Sequence, residues 1–131
     1  MNIMIVDDIK SSRTILEKIL HGSFDCSTLS AESGKEALAM LSSQRPDVIL
    51  LDVIMPNMNG AEFLRILRNK NKWKNIPVVI ISGQDERSVL SDFASMEVSG
   101  YLFKPFTVQD VEGIMNPILK KISPSLPSAN V

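Results

Sequence analysis

The 131-residue chain is 44% hydrophobic and 22% charged, which suits one soluble globular domain and fits two badly. Its 14 basic and 15 acidic residues give a net charge of -1, so there is no bulk attraction to nucleic acid or to an anionic membrane surface. The single cysteine, Cys26, cannot close an internal disulfide; a reducing compartment and a buried thiol within a strand are expected.

In chain order, the first apolar run is Ile3-Met4-Ile5-Val6. No basic stretch precedes it and it is too short for a signal peptide; no later stretch reaches membrane-spanning length, so a cytoplasmic protein is expected. The run is continuous and rich in β-branched residues, as in a strand buried on both faces. Ile15, Leu16, Ile19 and Leu20 then fall at helical spacing, followed by a weaker strand from Cys26 to Leu29 and a helical stripe of Ala37, Leu38 and Leu41. Val48-Ile49-Leu50-Leu51 is a second buried strand, with Phe63, Leu64, Ile66 and Leu67 marking the helix after it. Val78-Val79-Ile80-Ile81 is the next strand, and Val89, Leu90 and Phe93 predict a fourth helix. Tyr101 to Phe103 is a weaker strand, and Val111, Ile114, Met115 and Ile118 stripe the last helix. Pro117 within that helix removes a backbone donor and crowds the carbonyl of Gly113, which predicts a kink or an early end. Residues 123–131 are rich in proline and serine and read as a linker or a frayed end.

Strand and helix alternate five times. That order predicts a parallel sheet with helices on both faces, in the flavodoxin-like doubly wound order 2-1-3-4-5. An eight-stranded barrel needs roughly twice the length.

In such sheets the functional crevice lies beyond the carboxyl ends of the strands. The first strand ends in Asp7-Asp8, the third in Asp52, the fourth in Ser82-Gly83 and the fifth in Lys104-Pro105. With strands one and three adjacent, Asp7, Asp8 and Asp52 crowd together, and a divalent cation is the natural neutraliser. An oxygen-only site of few ligands on an open rim suits Mg2+. Lys104 adds a positive charge and Ser82 a hydroxyl, which makes room for a phosphoryl group beside a carboxylate nucleophile; Asp52 is central. Each residue also has a plainer reading. Asp7-Asp8 could cap the next helix, Ser82-Gly83 could be only a turn, and Lys104 a solvated lysine. Taken together, four strand ends of complementary chemistry favour a site.

These residues closely resemble the receiver domain of bacterial two-component response regulators. The likeness rests on Asp7-Asp8, Asp52 followed by Met55-Pro56 and Gly60, Ser82-Gly83, Tyr101 and Lys104-Pro105-Phe106, and it spans residues 1–122. It implies that Asp52 accepts a phosphoryl group from a histidine kinase or a histidine phosphotransfer protein. It further implies that Asp7, Asp8, Asp52 and the backbone carbonyl of Ile54 hold Mg2+. Lys104 would contact the phosphoryl group, and its peptide bond to Pro105 would be cis. Ser82 and Tyr101 would move together as a switch, altering the face formed by the fourth helix, fifth strand and fifth helix. Such a domain accepts one phosphoryl group and slowly hydrolyses it; it is not a turnover enzyme.

Three departures from the family pattern stand out. Ile54 and Gln84 occupy positions that influence water access, and apolar Ile54 cannot orient a water, so a long-lived phosphoryl group is expected. Glu97-Val98 stands where relatives often carry Gly-Ala, which predicts an unusual loop before the fifth strand. The last helix, residues 108–122, lacks the charge pattern of receivers that dimerise to bind DNA. Other readings fit less well. A receiver-like interaction module without phosphorylation would not require an intact pocket. A haloacid-dehalogenase-type enzyme needs a second aspartate where Ile54 stands. A flavodoxin needs a phosphate loop where Asp7-Asp8-Ile9-Lys10 stands, and no Gly-x-x-x-x-Gly-Lys motif is present.

Overall fold

A computed structural model describes residues 1–122; the expected linker, 123–131, lies outside the described residues, as does the side chain of Gln84. The elements run β1 (Asn2–Val6), α1 (Lys10–Ser23), β2 (Ser27–Ala31), α2 (Gly34–Leu41) and β3 (Val48–Asp52). They continue as α3 (Gly60–Arg68), β4 (Val78–Gly83), a 3-10 segment (Gln84–Phe93), β5 (Gly100–Lys104) and α4 (Val108–Ile122). The five strands form one sheet in the order β2-β1-β3-β4-β5, parallel throughout, as the alternation predicts.

Period-two alternation divides the core between the two faces of the sheet. Met4, Val6, Ile49, Leu51, Val78 and Ile80 point to one face, where Ala37 and Leu41 of α2, Phe63, Leu64 and Leu67 of α3, and Phe93 cover them. Ile3, Ile5, Leu50, Val79 and Ile81 point to the other, beneath Leu16 and Leu20 of α1 and Val111, Met115 and Ile118 of α4. The three central strands are buried on both sides, which explains their continuous apolar runs. Local capping fixes where the helices begin. Ser33 accepts the Glu36 N–H at 3.0 Å ahead of α2, and Asn59 accepts the Glu62 N–H at 3.0 Å ahead of α3. Thr107 and Asp110 bond reciprocally at the start of α4.

Four expectations need correction. Gln84–Phe93 is a 3-10 segment and not an α-helix. Only Phe93 of its apolar stripe is fully buried, while Val89 and Leu90 pack partially. Six of the ten residues are Asp, Glu, Arg or Ser, so little apolar surface is available to stabilise regular α-helix. Ile15 is 54% exposed, because Leu16 and Leu20, four residues apart, face the sheet and turn it outward. Cys26 precedes β2 instead of lying in it, and is half-buried; its Sγ donates to the Leu20 carbonyl, 3.7 Å away, and burial pushes the thiol pKa up. Finally, of the two outcomes expected at Pro117, the early end does not occur: α4 runs on to Ile122. Gly113 is exposed with open space around it, so the proline ring meets no side chain there, and buried Ile118 and Leu119 anchor the final turn.

The loop before β5 is held from below. Arg68, at the end of α3, donates to the carbonyls of Lys74 (3.0 Å), Ile76 (2.9 Å) and Glu97 (2.8 Å). One guanidinium thereby ties the loops leading into β4 and β5, using the planar fork of arginine donors. Its partial burial lowers its pKa, against the opposing charge of Glu97. We expect Arg68→Ala to lower the unfolding free energy by about 1–3 kcal/mol in urea titrations, since it leaves carbonyls unpaired. Arg68→Lys should recover only part of that, because one ammonium cannot span three acceptors.

Candidate phosphoacceptor and metal site

The strand register brings the acidic residues together. Val6 pairs with Leu51, so Asp7 and Asp8 emerge beside Asp52 at the carboxyl edge of the sheet. Carboxylate oxygens of Asp7, Asp8 and Asp52 lie within 4.8 Å of one another. Asp7 is fully buried and Asp52 is 3% exposed, whereas Asp8 is open to solvent. Helix α1 begins with Ile9 at its cap position and no side-chain cap, so Asp7-Asp8 is not the cap of that helix. Instead Asp7 Oδ1 accepts the Ile9 N–H at 2.9 Å, and the Asp7 carbonyl accepts from Arg13 at 2.7 Å. These bonds fix one edge of the pocket.

Lys104 reaches in from β5, whose register with β4 sets it opposite Gly83. Its Nζ stands 3.4 Å from Asp7 Oδ2 and 3.9 Å from Asp52 Oδ2. The peptide bond from Lys104 to Pro105 is cis, as expected from the resemblance. One ammonium beside three carboxylates leaves an excess of negative charge. Among the described residues, the buried Asp52 Oδ1 has no hydrogen-bond partner. Burial, then the charge of Asp7, push the Asp52 carboxyl up to about 7, against the opposing pull of Lys104. Glu86 and Asp8 add to the repulsion.

The loop after β3 is tightly built. Gly60 donates to the Val53 carbonyl at 2.9 Å, and a Cβ at Gly60 would stand 2.7 Å from the Asp52 carbonyl oxygen. Only glycine permits that approach. Met58 N–H bonds the Pro56 carbonyl across Asn57, whose φ is 70°, a left-handed conformation that asparagine tolerates. The loop leaves Ile54 on the rim, 50% exposed, with no side-chain polar atom to orient water.

Asp7, Asp8, Asp52 and Lys104 therefore converge. Ser82 is buried at the same edge, and its hydroxyl donates to the Gly83 carbonyl at 3.1 Å. Tyr101 pairs with Ile80, two residues before Ser82; it is half-buried and stacked on Phe103, with ring centroids 6.4 Å apart. Three carboxylates within reach of one another, one of them carrying an unpaired buried oxygen, fit a hard divalent cation of Mg2+ type. Two contributors were not anticipated from sequence. Arg13 carried no signal beyond lying on α1. Glu86 stands three residues after Gly83, the spacing at which a side chain bonds back to a helix start.

Residues 3–116 match the response regulator receiver domain family. The chain is 32% identical to the chemotaxis protein CheY of Pseudomonas aeruginosa over 94% of its own length and 99% of that protein's. It is 34% identical to the response regulator MprA of Mycobacterium avium, of which it covers 53%. Its fold superposes on a response regulator from Chloroflexus aurantiacus with a TM-score of 0.83, at 28% identity, covering 90% of this chain and 96% of that one.

Burial and charge crowding at Asp52 together give a pH-dependent expectation. The folded-state pKa of Asp52 lies above its unfolded value, so ionisation of Asp52 opposes folding. In chelator, the wild-type protein should lose stability as pH rises from about 4 to about 7. Asp52→Asn should be more stable than wild type at pH 8 by a few kcal/mol, with the gain shrinking toward pH 5. Urea titrations at the two pH values measure it. The chain belongs to the response regulator receiver domain family of two-component signalling.

Proposed function

We propose that Asp52 is the phosphoacceptor of a two-component relay and that its modification shifts the domain between two conformations. The observation that carries this is the unpaired, nearly buried Asp52 Oδ1 beside Asp7 and Lys104. An oxygen with no internal partner is free to bond a ligand, and burial strips it of water.

In this reading an Asp52 carboxylate oxygen attacks the phosphorus of a phosphohistidine in a kinase or phosphotransfer protein. The P–N bond breaks and its electron pair stays on the imidazole, which takes up a proton. Asp52 becomes an acyl phosphate. Lys104, already 3.9 Å from Asp52, meets one phosphoryl oxygen. A bound Mg2+, held by Asp7, Asp8, Asp52 and the Ile54 carbonyl, would offset the excess negative charge and bind phosphoryl oxygens. The Ser82 hydroxyl turns from the Gly83 carbonyl to the new acceptor, and Tyr101 moves inward with it. Modification acts by its differential interaction with the two states; a coupling of about 1–3 kcal/mol suffices. Water attack on phosphorus later restores the carboxylate and releases inorganic phosphate. The domain acts once per phosphoryl group and passes its state to an output or target protein.

Incubation with acetyl phosphate and Mg2+ should add one phosphoryl group by intact mass, lost in Asp52→Asn and in chelator. No modification, or modification that survives Asp52→Asn, contradicts the assignment. Exposed apolar Ile54 gives a second expectation: Ile54→Asn should shorten the phosphoryl lifetime by about tenfold, equivalent to about 1.4 kcal/mol of barrier, by supplying a group that orients water. An unchanged, already short lifetime would remove Ile54 from that role.

A further inference from the structure

The 3-10 segment begins at the phosphoacceptor edge and is anchored there by a charge. The Gly83 N–H donates to Glu86 Oε1 at 2.9 Å, closing the first turn. Glu86 is half-buried and bonds Gly83, the residue that β-sheet pairing sets opposite Lys104, so its carboxylate sits at the edge that carries the acid pocket. The segment is ten residues long, whereas 3-10 runs beyond three or four residues are uncommon because their hydrogen-bond geometry is poor. Its fixed points are few. Phe93 is buried at its far end, Val89 and Leu90 pack partially on the core, Glu86 bonds its near end, and Arg87 lies 4.4 Å over the ring of Phe103. Phe103 in turn stacks on Tyr101. Neighbouring residues Glu86 and Arg87 therefore join the acid pocket to the aromatic pair on β5.

We propose that Glu86 is a charge-operated latch, which holds the 3-10 segment through the Gly83 N–H while Asp52 is a plain carboxylate and lets go when Asp52 carries a phosphoryl group. The proposal rests on the phosphoacceptor reading of Asp52. A phosphoryl group adds negative charge at Asp52, and a like charge nearby is disfavoured in a partly buried setting. Release frees the Gly83 N–H, unfastens the first turn and carries Arg87 off Phe103. The aromatic pair is uncovered without any contact between the phosphoryl group and Tyr101. Glu86 is a positioning residue here; it touches no reacting atom.

Amide-resolved NMR of the full chain, with Mg2+ and beryllofluoride as the phosphoryl mimic, tests this. In wild type, saturation should displace the Gly83 amide and the Phe103 ring signals together. Glu86→Ala removes bond and charge, so those signals should already stand near the saturated position before beryllofluoride is added, and affinity should rise by about fivefold. Glu86→Gln keeps the bond without the charge, so its Gly83 and Phe103 signals should stay near the unliganded position at saturation. The latch is overturned if Glu86→Ala without beryllofluoride gives wild-type positions. It is equally overturned if the Asp52 amide of wild type responds to beryllofluoride while Gly83 and Phe103 do not. An Asp52 amide that never responds would instead sink the phosphoacceptor reading and the latch with it, an outcome distinct from the two that overturn the latch alone.

Discussion

Repulsion among Asp7, Asp8 and Asp52 is the constraint around which the rest of the molecule is arranged. Two unit charges about 4 to 5 Å apart repel by about 3–4 kcal/mol at an effective dielectric of about 20. The whole stability of a domain this size is about 5–15 kcal/mol. Such crowding persists only because the sheet enforces it. Pairing of Val6 with Leu51 fixes the ends of β1 and β3 side by side, and strands buried on both faces cannot slip register without exposing their apolar residues. Gly60 and the bond from Gly60 to Val53 hold the loop beyond Asp52 against the sheet. The scaffold keeps the carboxylates close, and Lys104 offsets only part of their charge.

Most of this was legible in the sequence because it depends on patterns of long reach. Continuous β-branched runs identified the central strands, and strict alternation with helices gave the sheet order. Polar residues immediately after those runs then had to share one edge. What escaped depended on weaker or non-local forces. The 3-10 segment has helical spacing at Val89, Leu90 and Phe93, yet too little apolar surface to impose α-helix. Ile15 fits the stripe of α1 but sits on its open side, since the direction a helix turns is fixed by packing and not by periodicity alone. Arg68 links three carbonyls from two loops distant in sequence, a contact no local pattern announces. Glu97 at the loop before β5 bonds Arg68 through its carbonyl, and its carboxylate adds a charge interaction with the same guanidinium.

The distribution of stabilising contacts divides the molecule into firm and soft parts. The β1, β3 and β4 strands and the faces of α1, α3 and α4 carry fully buried side chains. The 3-10 segment is fastened by one carboxylate, one guanidinium, one fully buried phenyl ring and the partial packing of Val89 and Leu90. Segments held by few contacts open at lower free energy than the core. A charge change at Asp52 therefore has a nearby element that can respond at modest coupling, while the sheet that positions the pocket stays fixed.

Burial and the charge of Asp7 hold Asp52 in a protonation balance that a divalent cation would shift toward the charged form. Carbon-13 NMR of the Asp52 side-chain carboxyl, titrated against pH with and without Mg2+, tests it most directly. Without divalent cation Asp52 should titrate at about 7. With saturating Mg2+ the midpoint should fall by several units, since the ion favours the charged form. An Asp52 that titrates near an ordinary carboxylate value in chelator, or whose midpoint Mg2+ leaves in place, would contradict it.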